Sequence, residues 1–303
     1  MKGRFAPSPT GRMHLGNIYS ALLSWLSVRS QQGSWVLRME DIDPQRSRPE
    51  FAAQIRDDLR WLGLDWDEEY TQSNRYAIYE EHLARLNGLS LTYPCYCTRA
   101  DIMATQAPHE SDGRIVYAGT CRPASLVNNE KRIVNRAPAT RLIVPDELIS
   151  FTDAHYGPQS VNLATHCGDF ILRRADGAWA YQLAVVVDDA LMGITEVVRG
   201  RDLLLSAPQQ IYLYRLLGYP VPTFCHLPLL CNETGQRLCK RDKSLDLGEL
   251  RRHYAPEQII GLLAYHAGLS PTTEPVRACD LVADFSWHKV PTHDIIVPPF
   301  PDL

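Results

Sequence analysis

The stretch from Gly3 to Gly33 constrains the fold of this 303-residue chain more than any other. Gly3 to Ala6 is short and partly apolar, which fits the end of a buried strand. Pro7 and Pro9 stop that strand, and Gly11 permits a tight turn. Ile18, Ala21, Leu22, Trp25, Leu26 and Val28 then recur at helical spacing, with Gly33 beyond the last of them. The pattern predicts a strand, a loop and a helix beginning near Asn17. Such a helix aims backbone N–H groups and the positive end of its dipole at the loop, a good place for a phosphate. His14 can donate to a phosphoryl oxygen, and Gly16 lets a nucleotide lie close to the backbone.

The middle of the chain alternates in the same way. Asp169 to Arg174 reads as a strand with Asp176-Gly177 as its turn, and Trp179 to Val187 continues in apolar residues. Ile194 to Arg199 reads as another strand. Ser206-Ala207-Pro208 opens a helix from Gln209 to Leu217, with Gly218 after its end. Strands alternating with helices imply an α/β fold with a doubly wound parallel sheet of the Rossmann type. Ligands of such sheets sit beyond the strand C-terminal ends, where Arg4, Glu40 and Arg199 fall. Leu247 to Leu269 can supply a C-terminal helical region, and the Pro-rich Val290 to Leu303 reads as an extended tail. An apolar fraction of 45% supports a sizeable core.

Two further clusters carry chemistry. Lys240-Arg241-Asp242-Lys243-Ser244 is a short lysine loop. Displacing pyrophosphate from ATP builds negative charge, which mobile ammonium groups neutralise. A Lys-x-x-Lys alone is a solvated turn, and its pairing with the N-terminal segment gives it meaning. Cys95-Tyr96-Cys97, followed by Cys121, has the spacing of a tetrahedral zinc site. On residue type alone, His109 would be sought as the fourth ligand.

With these residues in view, the chain resembles the class I aminoacyl-tRNA synthetases of the glutamyl/glutaminyl group. His14-Leu15-Gly16-Asn17 is similar to their HIGH signature, and Lys240 to Ser244 to their KMSKS signature. Arg4 to Gly11 is similar to their amino-acid and ATP loop. Asn17 stands where a second histidine is usual. Arg241 and Asp242 stand for Met or Leu and Ser, with both lysines kept. The resemblance implies catalytic roles for His14, Lys240 and Lys243, and an ATP site at Pro9, Gly11, His14, Gly16, Asn17 and Lys243. For glutamate, Arg4 and Arg199 supply cations, Glu40 an acid for the ammonium, Tyr181 a hydroxyl donor and Ser8 a further contact. An arginine facing the side-chain carboxylate rejects glutamine, because a neutral amide leaves a desolvated charge unpaired. The resemblance also makes Tyr117 the fourth ligand of one structural Zn²⁺, beside Cys95, Cys97 and Cys121. Mg²⁺ is expected with ATP, without a dedicated protein cage.

Length narrows the expectation. About sixty residues follow Ser244, which leaves no room for the anticodon-binding domain of a full glutamyl enzyme. This combination resembles the glutamyl-Q tRNA(Asp) synthetases, stand-alone catalytic cores that attach glutamate to queuosine in the anticodon of tRNA-Asp. It covers roughly residues 1 to 270. It implies a ligase that activates L-glutamate with ATP in the absence of tRNA, whereas relatives charging tRNA-Glu typically need the tRNA in place. The expected divisions are residues 1–90 and 166–235 for the two halves of the Rossmann core, 91–165 for a zinc-containing insertion, and 236–303 for the lysine loop, helices and tail. An ordinary glutamyl-tRNA synthetase or its catalytic fragment shares every motif. A non-catalytic nucleotide- or tRNA-binding paralogue would keep the fold, and a nucleotidylyltransferase for another carboxylate would keep the ATP residues.

A net charge of −4 gives no compositional signal for RNA. Arg46, Arg48, Arg173, Arg174, Arg251 and Arg252 are each more often a solvated face than an RNA contact, so none is assigned to tRNA. Asp65 to Glu69 is read as solvent-facing, and Asp188 and Asp189 as structural or Mg-independent acids. Eight cysteines, mostly in apolar runs, fit a reducing compartment. No signal-like segment precedes Arg4, and no apolar stretch approaches a membrane span, so a cytoplasmic protein is expected. No self-association signal stands out, and a monomer is expected.

Overall fold

The computed structural model describes residues 1–104, 116–123, 136–238 and 246–298. The chain opens with β1 (Lys2–Phe5), α1 (Leu15–Ser30), β2 (Ser34–Met39), α2 (Pro49–Trp61), β3 (Glu68–Thr71) and α3 (Tyr76–Gly88). β1 pairs with β2 and β2 with β3, all parallel. An insertion follows: β4 (Thr92–Cys95), α4 (Arg99–Ala104), β5 (Ala139–Leu142), a β6 (Leu148–Asp153) and β7 (Gly157–Asn162) hairpin, α5 (Leu163–His166) and β8 (Phe170–Arg173). The parallel core resumes with α6 (Tyr181–Leu191), β9 (Glu196–Gly200), α7 (Ala207–Leu217) and β10 (Thr223–Leu227). β11 (Leu230–Cys231), α8 (Leu247–His253), α9 (Pro256–His266) and β12 (Ile295–Ile296) close the chain.

β9 pairs in parallel with β10 and runs beside β1, tied at its start by the Thr195 N–H to the Lys2 carbonyl at 2.8 Å. The spatial order is therefore β3-β2-β1-β9-β10, with the winding reversing between β1 and β9. α1 lies on one face, where Ile18, Ala21, Leu22, Trp25, Leu26 and Val28 are all buried, with α8 and α9 in the same core. A Cβ on Gly3 would run into Val28, so the glycine is what lets β1 approach α1. α3, α6 and α7 cover the other face. Each such buried aliphatic side chain contributes about 1.5–3 kcal/mol, so two covered faces hold the sheet rigid beneath its loops.

Four readings of the sequence need correction. The strand expected at 169–174 exists as β8, but it pairs antiparallel with β5 in a β4-β5-β8 sheet. Its burial alternates, whereas β9 is buried on nearly every residue, and only the latter suits a parallel strand covered on both faces. α1 starts at Leu15, two residues before Asn17, because His14 caps it. Asp65 to Glu69 does not merely face solvent. Asp67 accepts the Trp35 N–H at 2.6 Å and pairs with Arg29 at 2.8 Å, Asp65 accepts from the Trp25 indole at 3.0 Å, and Glu68 pairs with Lys2 at 2.6 Å. The Pro-rich tail is more than extended chain, since β12 pairs in parallel with β11. Leu247 to Leu269 does form helices, and Gly218 ends α7 at φ 72°. Among the described residues no helix is long and apolar enough to cross a membrane.

Candidate active site

Where the winding reverses, a cavity of about 470 Å³ opens beyond the ends of β1 and β9. Arg4, Ser8, Gly11, His14, Gly16, Asn17, Glu40, Tyr181 and Arg199 all line it. Pro9 does not. Its carbonyl instead accepts the Arg48 N–H at 3.0 Å, which anchors the loop after β2.

His14 is built into the start of α1. Its Nδ1 accepts the Gly16 N–H at 3.2 Å, while the Asn17 side chain accepts the His14 N–H at 3.2 Å, a reciprocal cap. With Nδ1 occupied as acceptor, the proton of the neutral ring sits on Nε2, which makes that atom a donor. A Cβ on Gly16 would stand 3.1 Å from the imidazole, so glycine here makes room for the ring. Asn17 thus serves first as a helix cap.

The cations and acids are set by the sheet. Arg4 on β1 donates to the Val198 carbonyl at 3.1 Å and stands 3.4 Å from Asp189. Arg38 on β2 is fully buried between Asp189 at 2.5 Å, Glu40 at 3.0 Å and Asp188 at 3.8 Å. Burial alone would lower the Arg38 pKa, but the surrounding carboxylates outweigh it and hold the pKa well above its usual value. Burial raises the Glu40 pKa despite Arg38 and Arg4. Asp188 accepts from Arg75, Gln72 and Tyr79 at 2.6–2.8 Å. Both aspartates of α6 are structural partners of arginines.

Arg199 is different. It is 5% exposed, yet among the described residues no carboxylate lies within ion-pair distance of it. Its donors reach Gln210 at 2.8 Å, His226 at 3.1 Å, the Leu203 carbonyl at 3.3 Å and the Tyr181 hydroxyl at 3.4 Å. Burial, helped by nearby Arg4, presses its pKa below the usual value. A buried guanidinium at a cavity wall with only neutral hydrogen-bond partners can receive an anion.

Lys240 and Lys243 lie outside the described residues, as do Arg241, Asp242 and Ser244. The residues flanking them reach the site from both sides. Leu238 lines the cavity, and Asp246 forms an antiparallel bridge with His14, reinforced by the Leu247 N–H to the Met13 carbonyl at 2.9 Å.

A second cluster sits in the insertion. The sulfurs of Cys95, Cys97 and Cys121 lie within 4.8 Å of one another, with Cys97 and Cys121 3.5 Å apart. Thiolates about 2.3 Å from a shared zinc stand roughly 3.8 Å apart, so this donor set fits the metal. Tyr117 Oη is 3.4 Å from Cys95 Sγ and 3.7 Å from Cys97 Sγ, and accepts the Cys121 N–H at 2.8 Å. Gly168, at φ 63°, holds Tyr117 through a parallel bridge, and a Cβ there would collide with the Tyr117 carbonyl. His109 lies outside the described residues.

Arg38, Asp153, Gln210 and His226 join the site without a signal in the sequence. Arg38 looks like one charge in an apolar strand, and the other three are far apart in sequence and meet only through the fold.

A helix N-terminus and buried guanidinium groups at the switch point of a doubly wound sheet are suited to holding a nucleotide and an anionic co-substrate. Residues 1–274 match the family of class I tRNA synthetases (E and Q), catalytic domain, and the chain belongs to that family. Within it, the chain is 48% identical to the glutamyl-Q tRNA(Asp) synthetase of Symbiobacterium thermophilum, over 98% of this chain and 95% of that one. It is 46% identical to the protein of that name from Nitratidesulfovibrio vulgaris, over 98% and 96%. Among solved structures it is similar to a glutamate tRNA ligase from Elizabethkingia meningosepticum in complex with its amino acid. That likeness has a TM-score of 0.82 at 28% identity, and 98% of this chain spans 66% of that one.

Proposed function

We propose that this protein activates L-glutamate with ATP in the absence of tRNA, and transfers the glutamyl group to queuosine in the anticodon of tRNA-Asp. The observation that carries the substrate half is Arg199, a buried cation facing the cavity with no carboxylate partner among the described residues. The acceptor half rests on similarity to glutamyl-Q tRNA(Asp) synthetases over nearly the whole chain.

In this reading the side-chain carboxylate of glutamate meets Arg199 and Tyr181, with Arg4 and Ser8 nearby. Glu40, oriented by Arg38, faces the ammonium. The α-carboxylate attacks the α-phosphorus of ATP in line, forming the mixed anhydride and releasing pyrophosphate. His14 Nε2, Gly11, Gly16 and the N-terminus of α1 receive the phosphates, and Lys243, with Lys240 in a lesser role, stabilises the departing charge. Mg²⁺ arrives with ATP and offsets phosphate charge. A hydroxyl of the acceptor nucleoside then attacks the anhydride carbonyl and releases AMP, so no protein nucleophile is required. The zinc reading assigns Cys95, Cys97, Cys121 and Tyr117 to one structural Zn²⁺ that ties down the insertion. The protein works as a monomer in the cytoplasm.

Two results are expected. Lys243→Ala lowers glutamate-dependent pyrophosphate exchange by about 10²-fold or more, the usual scale for losing one transition-state contact, and unchanged exchange would remove Lys243 from that role. Metal analysis of the purified protein finds about one zinc per chain, lost in Cys121→Ser, whereas a metal-free wild type would end the zinc assignment. The acceptor is tested with radiolabelled glutamate and tRNA-Asp carrying or lacking queuosine. Label is expected only on the queuosine-containing RNA. Label at the 3′ end of tRNA-Glu instead would mark an ordinary glutamyl-tRNA synthetase.

A further inference from the structure

The partners of Arg199 form an ordered shell, and the order has chemical content. Gln210 on α7 turns its side-chain oxygen to Arg199 at 2.8 Å, while its amide nitrogen donates to the Gln182 oxygen at 2.8 Å. Gln182 in turn donates to Gln209. This chain of amides fixes which end of Gln210 meets the guanidinium. On β10, His226 stands between two groups: Nδ1 is 2.6 Å from Asp153, and Nε2 accepts from Arg199 at 3.1 Å. An imidazole that accepts at Nε2 must carry its proton on Nδ1, so Asp153 locks the tautomer and the ring presents Arg199 with a lone pair and no charge. The Asp153 charge is itself spent locally, since its other oxygen accepts the backbone N–H groups of His155, Tyr156 and His226 at 2.9–3.2 Å. Phe224 completes the shell, its ring 5.2 Å from the guanidinium carbon. Burial also lowers the His226 pKa, which favours the neutral ring.

Arg38, one strand beyond Arg4, shows the contrast. It is as buried as Arg199 but is neutralised by carboxylates. The fold thus holds one arginine compensated in the interior behind Glu40 and one uncompensated at the cavity wall.

We infer that Gln210 and the Asp153–His226 pair are specificity-determining positioning residues, which keep Arg199 oriented but unneutralised so that its charge is completed only by an anionic substrate side chain. The inference rests on the reading of glutamate as substrate and assigns the choice of glutamate over glutamine to this shell. A carboxylate placed in the shell would satisfy Arg199 permanently, and the site would then have no reason to prefer an acid over its amide.

The test uses paired substitutions in the full chain, read by amino-acid-dependent ATP–pyrophosphate exchange with glutamate and with glutamine. Gln210→Glu and His226→Glu bring a carboxylate to Arg199. Gln210→Met and His226→Gln bring none. The carboxylate variants are expected to lose about 10- to 100-fold in kcat/KM for glutamate, through KM, with a matching fall in the glutamate-to-glutamine ratio and no change in the KM for ATP. The neutral variants are expected to raise the KM for glutamate less and to keep the ratio. Two positions are used so that a variant that fails to fold at one leaves the other decisive. A ratio that stays at the wild-type value in the carboxylate variants overturns the inference, as does an equal fall in charged and neutral variants. Wild-type protein that shows no glutamate-dependent exchange at all would instead overturn the substrate reading beneath it.

Discussion

Arg38→Met is expected to lower folding stability by about 3–5 kcal/mol, read as a fall in the urea midpoint at pH 7. The methionine replaces much of the apolar stem, so the loss is electrostatic. Arg38 is fully buried and serves three acids at once. Without it Asp188 keeps Arg75, Gln72 and Tyr79, and Asp189 keeps Arg4. Glu40 fares worst, because Arg38 is the partner that holds its carboxylate at 3.0 Å. The sign of the pH dependence follows. Burial already raises the Glu40 pKa, and losing Arg38 raises it further. A carboxyl whose folded pKa exceeds its unfolded value binds more protons when folded, so its contribution to stability falls as pH rises from the unfolded toward the folded pKa. Lowering the pH from 7 toward 5 should therefore recover part of the loss in Arg38→Met relative to wild type. A variant as stable as wild type at pH 7 would show that these acids are solvated or neutral in the folded protein.

Arg199→Gln is expected to reduce kcat/KM for glutamate by about 10³-fold, with the KM for ATP unaffected. The scale is that of truncating one partner of a desolvated charge pair. Arg199→Lys should recover little of it. Lysine lacks the planar fork that reaches Gln210, His226 and a ligand carboxylate together. Steady-state exchange kinetics on the three proteins check both statements. A lysine variant close to wild type would mean that Arg199 acts as a point charge and its shell is incidental.

The sequence was most legible where a local rule sufficed. The Pro-x-Pro turn after a short strand, the helical period from Ile18 to Val28 and the Ala-Pro start of α7 each encode their own structure. Arg4, Ser8, Glu40, Tyr181 and Arg199 are spread over nearly two hundred residues, and the parallel register brings them to one cavity. Other parts escaped for physical reasons. A four-residue strand such as β8 carries too little pattern to announce its partner, and its place in the antiparallel sheet emerges only from its pairing with β5. Pro9 carries a structural duty the motif does not show, its carbonyl anchoring a loop, and Asn17, which lines the cavity, also caps α1. The neutral shell of Arg199 was invisible because histidine, glutamine and aspartate are ordinary residues until β6, β10 and α7 set them around one guanidinium.

If this cavity activates glutamate without RNA, the decisive measurement is glutamate-dependent ATP–pyrophosphate exchange with no tRNA present. Robust exchange is expected with glutamate, little with glutamine, and no requirement for added RNA. Exchange that appears only after tRNA-Glu is supplied, or none with any amino acid, would contradict it.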